Sequence, residues 1–380
     1  MLAFKTSGAQ SVGVCYGRNG NNLPNEQATV NLFRANGIGR MRLYDPVQSA
    51  LQALGGSNIE LMLDVPNPQL QSLQTAAGAS TWVRNNIQNY LPGVNFRYIA
   101  VGNEVDPNNG GTSEYVNLVL PAMRNIHNAI VAAGLQNQIK VSTATYSGLT
   151  SGFPPSQGAF RDNVQGFIVP IIQFLAQNNL PLLANIYPYF SYLGTPQGDL
   201  QYALFTAPNV VVTDPVGNRQ YRNLFDALLD TLYSAVEKSG GPNIEIVVSE
   251  SGWPSSGGTE ASVQNAGTYY RNLINHVKGN GTPKRQGRPI ETYLFAIDDE
   301  FSPLHDSEIE TDYEDIDYDG DSDSTDTDND EEEEEYVPTT PWFTEETTSN
   351  KFANSSGASC GRCGQEGHTR RSRRCPQHGQ

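Results

Sequence analysis

Two glutamates stand where paired-carboxylate chemistry would need them. Residues 97–105 read R-Y-I-A-V-G-N-E-V and residues 244–255 read I-E-I-V-V-S-E-S-G-W-P-S, so Glu104 and Glu250 each close an apolar run just before loop-forming residues. Carboxylates at the C-terminal ends of two buried parallel strands share the face on which barrel folds carry their chemistry, and such a pair is the apparatus of glycoside hydrolysis. In this reading Glu104 is the general acid/base, with an ionised Glu250 nearby raising its pKa and Asn103 holding a substrate hydroxyl beside it. Glu250 is the nucleophile toward the anomeric carbon. A single strand-end Glu more often caps a helix or pairs with an Arg. Two of them, both followed by loops and one preceded by Asn, favour catalysis.

Aromatic residues support the same chemistry. Tyr44, Tyr187 and Phe190 of N-I-Y-P-Y-F, and Trp253 all fall at or just past strand ends, so their rings are expected to rim one mouth. Sugar rings present apolar C–H faces that stack on aromatics, whereas a phosphate ligand would need a basic or Gly-rich cradle that this sequence lacks. Charge points the same way. Residues 1–297 carry 18 Lys/Arg against 17 Asp/Glu, which leaves 24 − 18 = 6 against 41 − 17 = 24 for the rest. The first part is close to neutral and suits a neutral ligand; the acidity belongs to the tail.

Eight short apolar runs are available to position these residues: 12–16, 39–44, 59–65, 97–103, 139–144, 182–189, 244–251 and 292–299. Helical periodicity lies between them at 25–36, 47–54, 68–89, 112–133, 160–178, 221–239 and 260–278. Strict alternation of strand and helix predicts a parallel sheet, and eight strands over roughly 300 residues predict an α/β fold of the closed (β/α)₈ TIM-barrel type. Glu104 and Glu250 then end the fourth and seventh strands. No recognisable last helix follows the eighth run. D-S-D-S-T-D-T-D-N-D-E-E-E-E-E comes instead, a self-repelling tract expected to be a disordered acidic tail that leaves the flank of the last strand uncovered.

The motifs S-V-G-V-C-Y-G, N-N-L-P, M-R-L-Y-D-P, S-N-I-E-L-M-L-D-V-P, V-G-N-E-V, A-N-I-Y-P-Y-F and S-E-S-G-W-P-S occur in this order. Together they resemble the plant endo-1,3-β-glucanases of glycoside hydrolase family 17, over about residues 11–300. The resemblance implies a (β/α)₈ fold and retaining hydrolysis of 1,3-β-glucan, with Glu104 as acid/base, Glu250 as nucleophile and no cofactor for catalysis. It also implies substrate contacts by Tyr44, Asn103, Asn185, Tyr187 and Phe190, and F-A-I-D-D-E-F retains Glu300 as a further substrate-site residue. Extracellular or vacuolar placement of a monomer is what the resemblance implies. Residues 1–10 end in G-A-Q, like the remnant of a signal-peptide junction, without an apolar segment of signal-peptide length. Past Glu300 the sequence leaves the family pattern. An inactive glucan-binding barrel, or a chimeric product, is therefore the alternative reading.

Cys15, alone in an apolar strand, reads as a small buried hydrophobe. Residues 351–380, beyond a linker at 301–350, contain C-G-R-C-G-Q-E-G-H-T-R-R-S-R-R-C. Cys360, Cys363, His368 and Cys375 have the order of a CCHC zinc knuckle, whose Zn²⁺ would leave Arg370, Arg371, Arg373 and Arg374 to make weak contacts with single-stranded nucleic acid. The spacing before Cys375 is two residues longer than usual, and an unstructured basic tail is the plain alternative. No run is long enough to span a membrane, so no membrane partner is expected.

Overall fold

Strands buried on both faces read as near-continuous apolar runs, and E-L-M-L-D-V shows how the two faces divide. Leu61, Leu63 and Val65 join the core beneath the helices, while Met62 joins the core inside the barrel. The computed structural model describes residues 11–18, 23–195 and 198–297. Its eight barrel strands are β1 (Val12–Tyr16), β2 (Arg40–Leu43), β3 (Glu60–Val65), β4 (Asn95–Asn103), β5 (Lys140–Tyr146), β6 (Leu182–Asn185), β7 (Ile246–Ser251) and β8 (Thr292–Ile297). Each pairs in parallel with its neighbours in sequence, and β8 returns to β1 through Val12↔Thr292, so the barrel is closed. The fold is the expected (β/α)₈ barrel.

Period-two alternation sets what lines the interior. Cys15, Met62, Tyr98, Ala100, Ala144, Leu183, Val247 and Tyr293 fill its middle, and Cys15 is the buried hydrophobe expected of it. Around them lie α1 (Glu26–Ala35), α2 (Gln48–Leu54), α3 (Ala76–Asn86), α4 (Val116–Ala132), α5 (Asp162–Gln177), α6 (Pro188–Leu193), α7 (Leu200–Ala203), α8 (Leu224–Lys238) and α9 (Val263–Val277). Side-chain caps start several of them: Asn25 accepts from Ala28, Asn223 from Asp226 and Ser262 from Asn265.

Local chemistry corrects several boundaries. The single helix expected over 68–89 is a 3₁₀ run (Asn67–Gln74) followed by α3, because Thr75 adopts extended backbone and caps α3 by accepting from the Gly78 amide. The sixth strand stops at Asn185 rather than running to 189. Pro188, with no N–H to donate and φ preset for a helix, opens α6. Two small hairpins, Thr150–Ser151 with Ala159–Phe160 and Val212–Asp214 with Arg219–Tyr221, were not foreseen. Glu300, the metal-ligand set Cys360, Cys363, His368 and Cys375, the signal-junction remnant, the acidic linker and the flank past β8 lie outside the described residues.

Candidate active site

Arg42 is the centre of the cluster at the C-terminal mouth. Its place on β2 turns it inward, and its side chain is wholly buried. Nε and Nη2 donate to the two Asp64 oxygens at 3.2 and 2.6 Å, Nη2 also reaches Asn103 Oδ1 at 2.9 Å, and Nη1 donates to Glu250 Oε1 at 2.7 Å and Asn185 Oδ1 at 3.2 Å. Burial works against the guanidinium charge, but Asp64, Tyr44 and Glu250 outweigh it and hold the Arg42 pKa above its ordinary value. Burial pushes Asp64 up to about 6 against the pull of Arg42.

Both catalytic candidates follow irregularities in their ladders. The register shifts between Val248 and Glu250 on β7 and between Ala100 and Asn103 on β4, which re-aims the side chains that follow. Glu104 itself has φ +48°, a left-handed conformation uncommon for a residue with a Cβ, and its amide donates to Ala144 O at 2.8 Å. Asn67 fixes the preceding residue by bonding both the N–H and the C=O of Asn103 at 2.9 Å. Among the described residues the Glu250 carboxylate accepts from Arg42 and Tyr44 (2.8 Å) on Oε1 and from Tyr187 (2.7 Å) on Oε2. Burial raises both tyrosines well above their ordinary pKa, so each keeps the proton it donates.

Glu104 is the opposite case. It is 6% exposed, and the contact the structure gives its carboxyl is Asn185 Nδ2 at 2.5 Å from Oε1. Burial first, and the charge of Glu250 second, raise it well above the ordinary carboxylate value, against smaller opposing effects of Asn185 and Arg42. One buried carboxyl is biased toward its protonated form beside another that is surrounded by donors. That is the division of labour required of an acid and a nucleophile acting on one bond.

Of the residues singled out from sequence, Tyr44, Asn103, Glu104, Asn185, Tyr187 and Glu250 converge on this cluster. Phe190 stands at its edge, 49% exposed with its ring centroid 5.4 Å from that of Tyr187. Trp253 does not rim the mouth. It is buried, stacks edge-on against Tyr189 at 5.0 Å and donates Nε1 to Glu260 O. Phe295 of β8 takes the place at the rim, edge-on to Tyr44 and Tyr187 at 6.3 and 6.1 Å. Sequence reasoning also missed Arg42, Asp64, Asn67 and Ser249, whose Oγ donates to Asn185 Oδ1 at 2.7 Å. The available signal was a charged residue inside an otherwise apolar strand, in M-R-L and L-M-L-D-V.

Residues 12–313 match the sequence pattern described as Glycosyl hydrolases family 17. The chain belongs to that family. It is 64% identical over 303 residues to a glucan endo-1,3-beta-glucosidase of Vitis vinifera, covering 79% of this chain and 87% of that one. Among solved structures, a plant beta-glucan endohydrolase superposes with TM-score 0.70 at 49% identity, covering 75% of this chain and 90% of that one. CJP38, a beta-1,3-glucanase and allergen of Cryptomeria japonica pollen, superposes with TM-score 0.73 at 45% identity over 75% and 89% of the two chains. This family 17 glycoside hydrolase has, among its described residues, no helix long and apolar enough to cross a membrane.

Proposed function

We propose that the protein is a retaining endo-hydrolase of 1,3-β-glucan, with Glu104 as acid/base and Glu250 as nucleophile. The observation that carries this reading is the contrast between the two carboxyls: a dry Glu104 that favours its protonated form, and a Glu250 whose oxygens accept from Arg42, Tyr44 and Tyr187. The names of the relatives supply the linkage, and the rings of Tyr44, Tyr187, Phe190 and Phe295 at the mouth suit the apolar C–H faces of a polysaccharide.

In the first step a Glu250 oxygen bonds to the anomeric carbon while the bond to the leaving glycosyl oxygen breaks, and Glu104 gives that oxygen its proton. Glu104, now a carboxylate, takes a proton from water, whose oxygen attacks the anomeric carbon and releases Glu250. Two displacements at one carbon retain the β configuration. Donors to Glu250 restrain its attack but stabilise it as the departing carboxylate in the second step. Asn103 and Asn185, tied to Arg42 and Glu104, are placed to meet substrate hydroxyls on the sugar undergoing cleavage.

Reducing ends released from laminarin by the wild type and by Glu250→Ala test the reading. Turnover by the wild type and its loss in the variant are expected, and early products observed by proton NMR should be the β-anomer. Equal activity in the two proteins would remove Glu250 from its role, α-anomeric first products would mean inversion, and laminarin binding without turnover in the wild type would favour the inactive glucan-binding barrel.

A further inference from the structure

The end of β4 leaves the regular ladder, and side chains take over its hydrogen bonds. Val65↔Val101 is the last backbone pair between β3 and β4. Beyond it Gly102 has φ +78° and Glu104 has φ +48°, two left-handed residues flanking Asn103. Glycine adopts that conformation freely, whereas a residue with a Cβ persists in it only where its surroundings fix it. Thr143 Oγ1 donates to Gly102 O at 3.2 Å, and Thr112 Oγ1 to Glu104 O at 3.3 Å.

Asn67 supplies the closest of these side-chain restraints. Two residues past the end of β3, its Oδ1 accepts from Asn103 N and its Nδ2 donates to Asn103 O, each at 2.9 Å. A carboxamide carries a donor and an acceptor side by side, so it offers Asn103 what a neighbouring strand would. The Asn67 backbone is seated as well, since it opens the 3₁₀ run Asn67–Gln74 directly after Pro66. A Cβ at position 102 would stand 3.2 Å from Asn67 Oδ1, so Gly102 also gives this pairing its room.

The two residues that follow Gly102 depend on Asn67 to different degrees. The Asn103 side chain has restraints of its own, because Oδ1 accepts from Arg42 Nη2 at 2.9 Å and from Asn185 Nδ2 at 3.2 Å. For the buried Glu104 carboxyl the structure gives the contact with Asn185 Nδ2 at 2.5 Å. The direction of that carboxyl therefore depends on the backbone that carries it. Release of the Asn103 peptide would let Glu104 return to negative φ, which redirects its Cα–Cβ bond.

We propose that Asn67 is a positioning residue for the general acid/base: by clamping the Asn103 peptide it holds Glu104 in its left-handed conformation and keeps the carboxyl aimed at the scissile oxygen. It rests on the role proposed above for Glu104. An asparagine with a structural role alone would lower every activity together when replaced, in proportion to the protein left unfolded. A displaced acid/base slows the steps that move a proton and spares the others.

The experiment compares wild type, Glu104→Ala, Asn67→Ala and Asn67→Asp at about pH 6, where an aspartate is ionised. Asn67→Asp conserves shape and the acceptor for Asn103 N–H but loses the donor to Asn103 O. One substrate is laminarin, whose leaving hydroxyl must be protonated. The other is dinitrophenyl β-laminaritrioside, whose leaving group departs as a stable anion. Displacement of a general acid costs about 10²-fold, so kcat/KM for laminarin should fall about 10²-fold in Asn67→Ala and about tenfold in Asn67→Asp. For the aryl substrate kcat/KM should stay within about twofold of wild type. Its kcat should fall, because the water that releases Glu250 needs Glu104 as base. Azide needs no base and should restore that kcat, bonding to the anomeric carbon as the bond to Glu250 breaks. Equal losses on the two substrates in an Asn67 variant that folds overturn the proposal, as does an unchanged laminarin kcat/KM. If Glu104→Ala shows the split and the Asn67 variants do not, the positioning role alone is refuted. If Glu104→Ala lacks the split, or the wild type turns over neither substrate, the acid/base assignment falls and the positioning role falls with it.

Discussion

The barrel interior carries a charged cluster at each end, both drawing on β2 and β3. At the N-terminal end Arg40 and Arg97 meet Glu60 and Glu291: Arg40 to Glu60 at 2.7 Å, Arg97 to Glu291 at 2.8 Å, with Tyr98 and Tyr293 also donating to Glu291. At the C-terminal end Arg42 is the one cation, among the described residues, that faces Asp64, Glu104 and Glu250. Fully ionised, the first sums to 2 − 2 = 0 and the second to 1 − 3 = −2. Exposure differs too, since the Arg97 and Glu60 side chains are 33% and 32% exposed and that of Arg42 is 0%. A balanced, half-wet ring needs no proton to be neutral. A dry cluster short of cations would need two, and burial raises both Asp64 and Glu104 toward their protonated forms. Arg40 and Arg42, two residues apart on one face of β2, thus begin a structural clasp and a reactive centre.

The largest break in this comparison removes one carboxylate. Glu250→Gln should lower laminarin turnover by at least about 10⁴-fold, the order seen when a covalent nucleophile is lost. It should also lower the pKa of Glu104, because the second cause raising it is the Glu250 charge, while the larger cause, burial, remains. A ¹³C-carboxyl titration of both proteins reads this directly. An unchanged Glu104 midpoint would show that the two carboxyls are not electrically coupled.

Removing the Arg42 cation comes next. Arg42→Met leaves Asp64 and Glu250 buried without their partner, which costs about 3–5 kcal/mol in sites of this kind. Urea denaturation should show that loss, with Glu250 turnover falling too in whatever fraction remains folded. A loss under about 1 kcal/mol would mean that solvent reaches the cluster.

Much of this was legible in the sequence, for identifiable reasons. Glu104 and Glu250 were visible because each ends an apolar run, and the eight runs gave the closed barrel. Arg42 was not. Its place near the end of an inward-facing run does not say what it pairs with, and its partners Asp64 and Glu250 lie 22 and 208 residues away. Trp253 failed for a related reason. Adjacency to Glu250 in sequence says nothing about the direction of the chain after Gly252, where the path to Tyr189 and Tyr269 depends on packing by α6 and α9. Phe295 was hidden by the same limit, since its place beside Tyr44 exists only once β8 closes on β1.

The pH dependence separates the two ends more gently. A carboxyl whose folded pKa is raised contributes stability that is complete below its unfolded value and lost as pH rises through the folded one. Asp64, moved from 3.8 to about 6, and Glu104, raised well above its ordinary value, both act in this direction. Wild-type stability should therefore decline from about pH 4 toward neutrality, and Glu104→Gln, which has no proton to lose, should show a shallower decline. Turnover should fall on the alkaline side, as Glu104 loses the proton that the proposed mechanism has it donate. Urea midpoints and kcat/KM measured across pH 4–8 check both, and a Glu104→Gln stability profile parallel to the wild type would show that Glu104 ionises as it does in water.

The smallest effect belongs to the balanced end. Arg97→Met removes two bonds to Glu291 and the contact of its guanidinium with the Tyr98 ring at 5.0 Å. Glu291 still keeps Arg40 at 3.5 Å and the hydroxyls of Tyr98 and Tyr293, so no bare charge is created. With Arg97 itself one-third exposed, water and salt already screen the pair, and losses at such sites are about 0–1 kcal/mol. The methionine also preserves much of the apolar stem that packs there. Denaturation in 0.1 M and 1 M NaCl should show the small deficit shrinking in the higher salt, as the screening length falls from about 10 to about 3 Å. A deficit above about 3 kcal/mol, insensitive to salt, would place Arg97 in the same class as Arg42 and erase the distinction between the two ends.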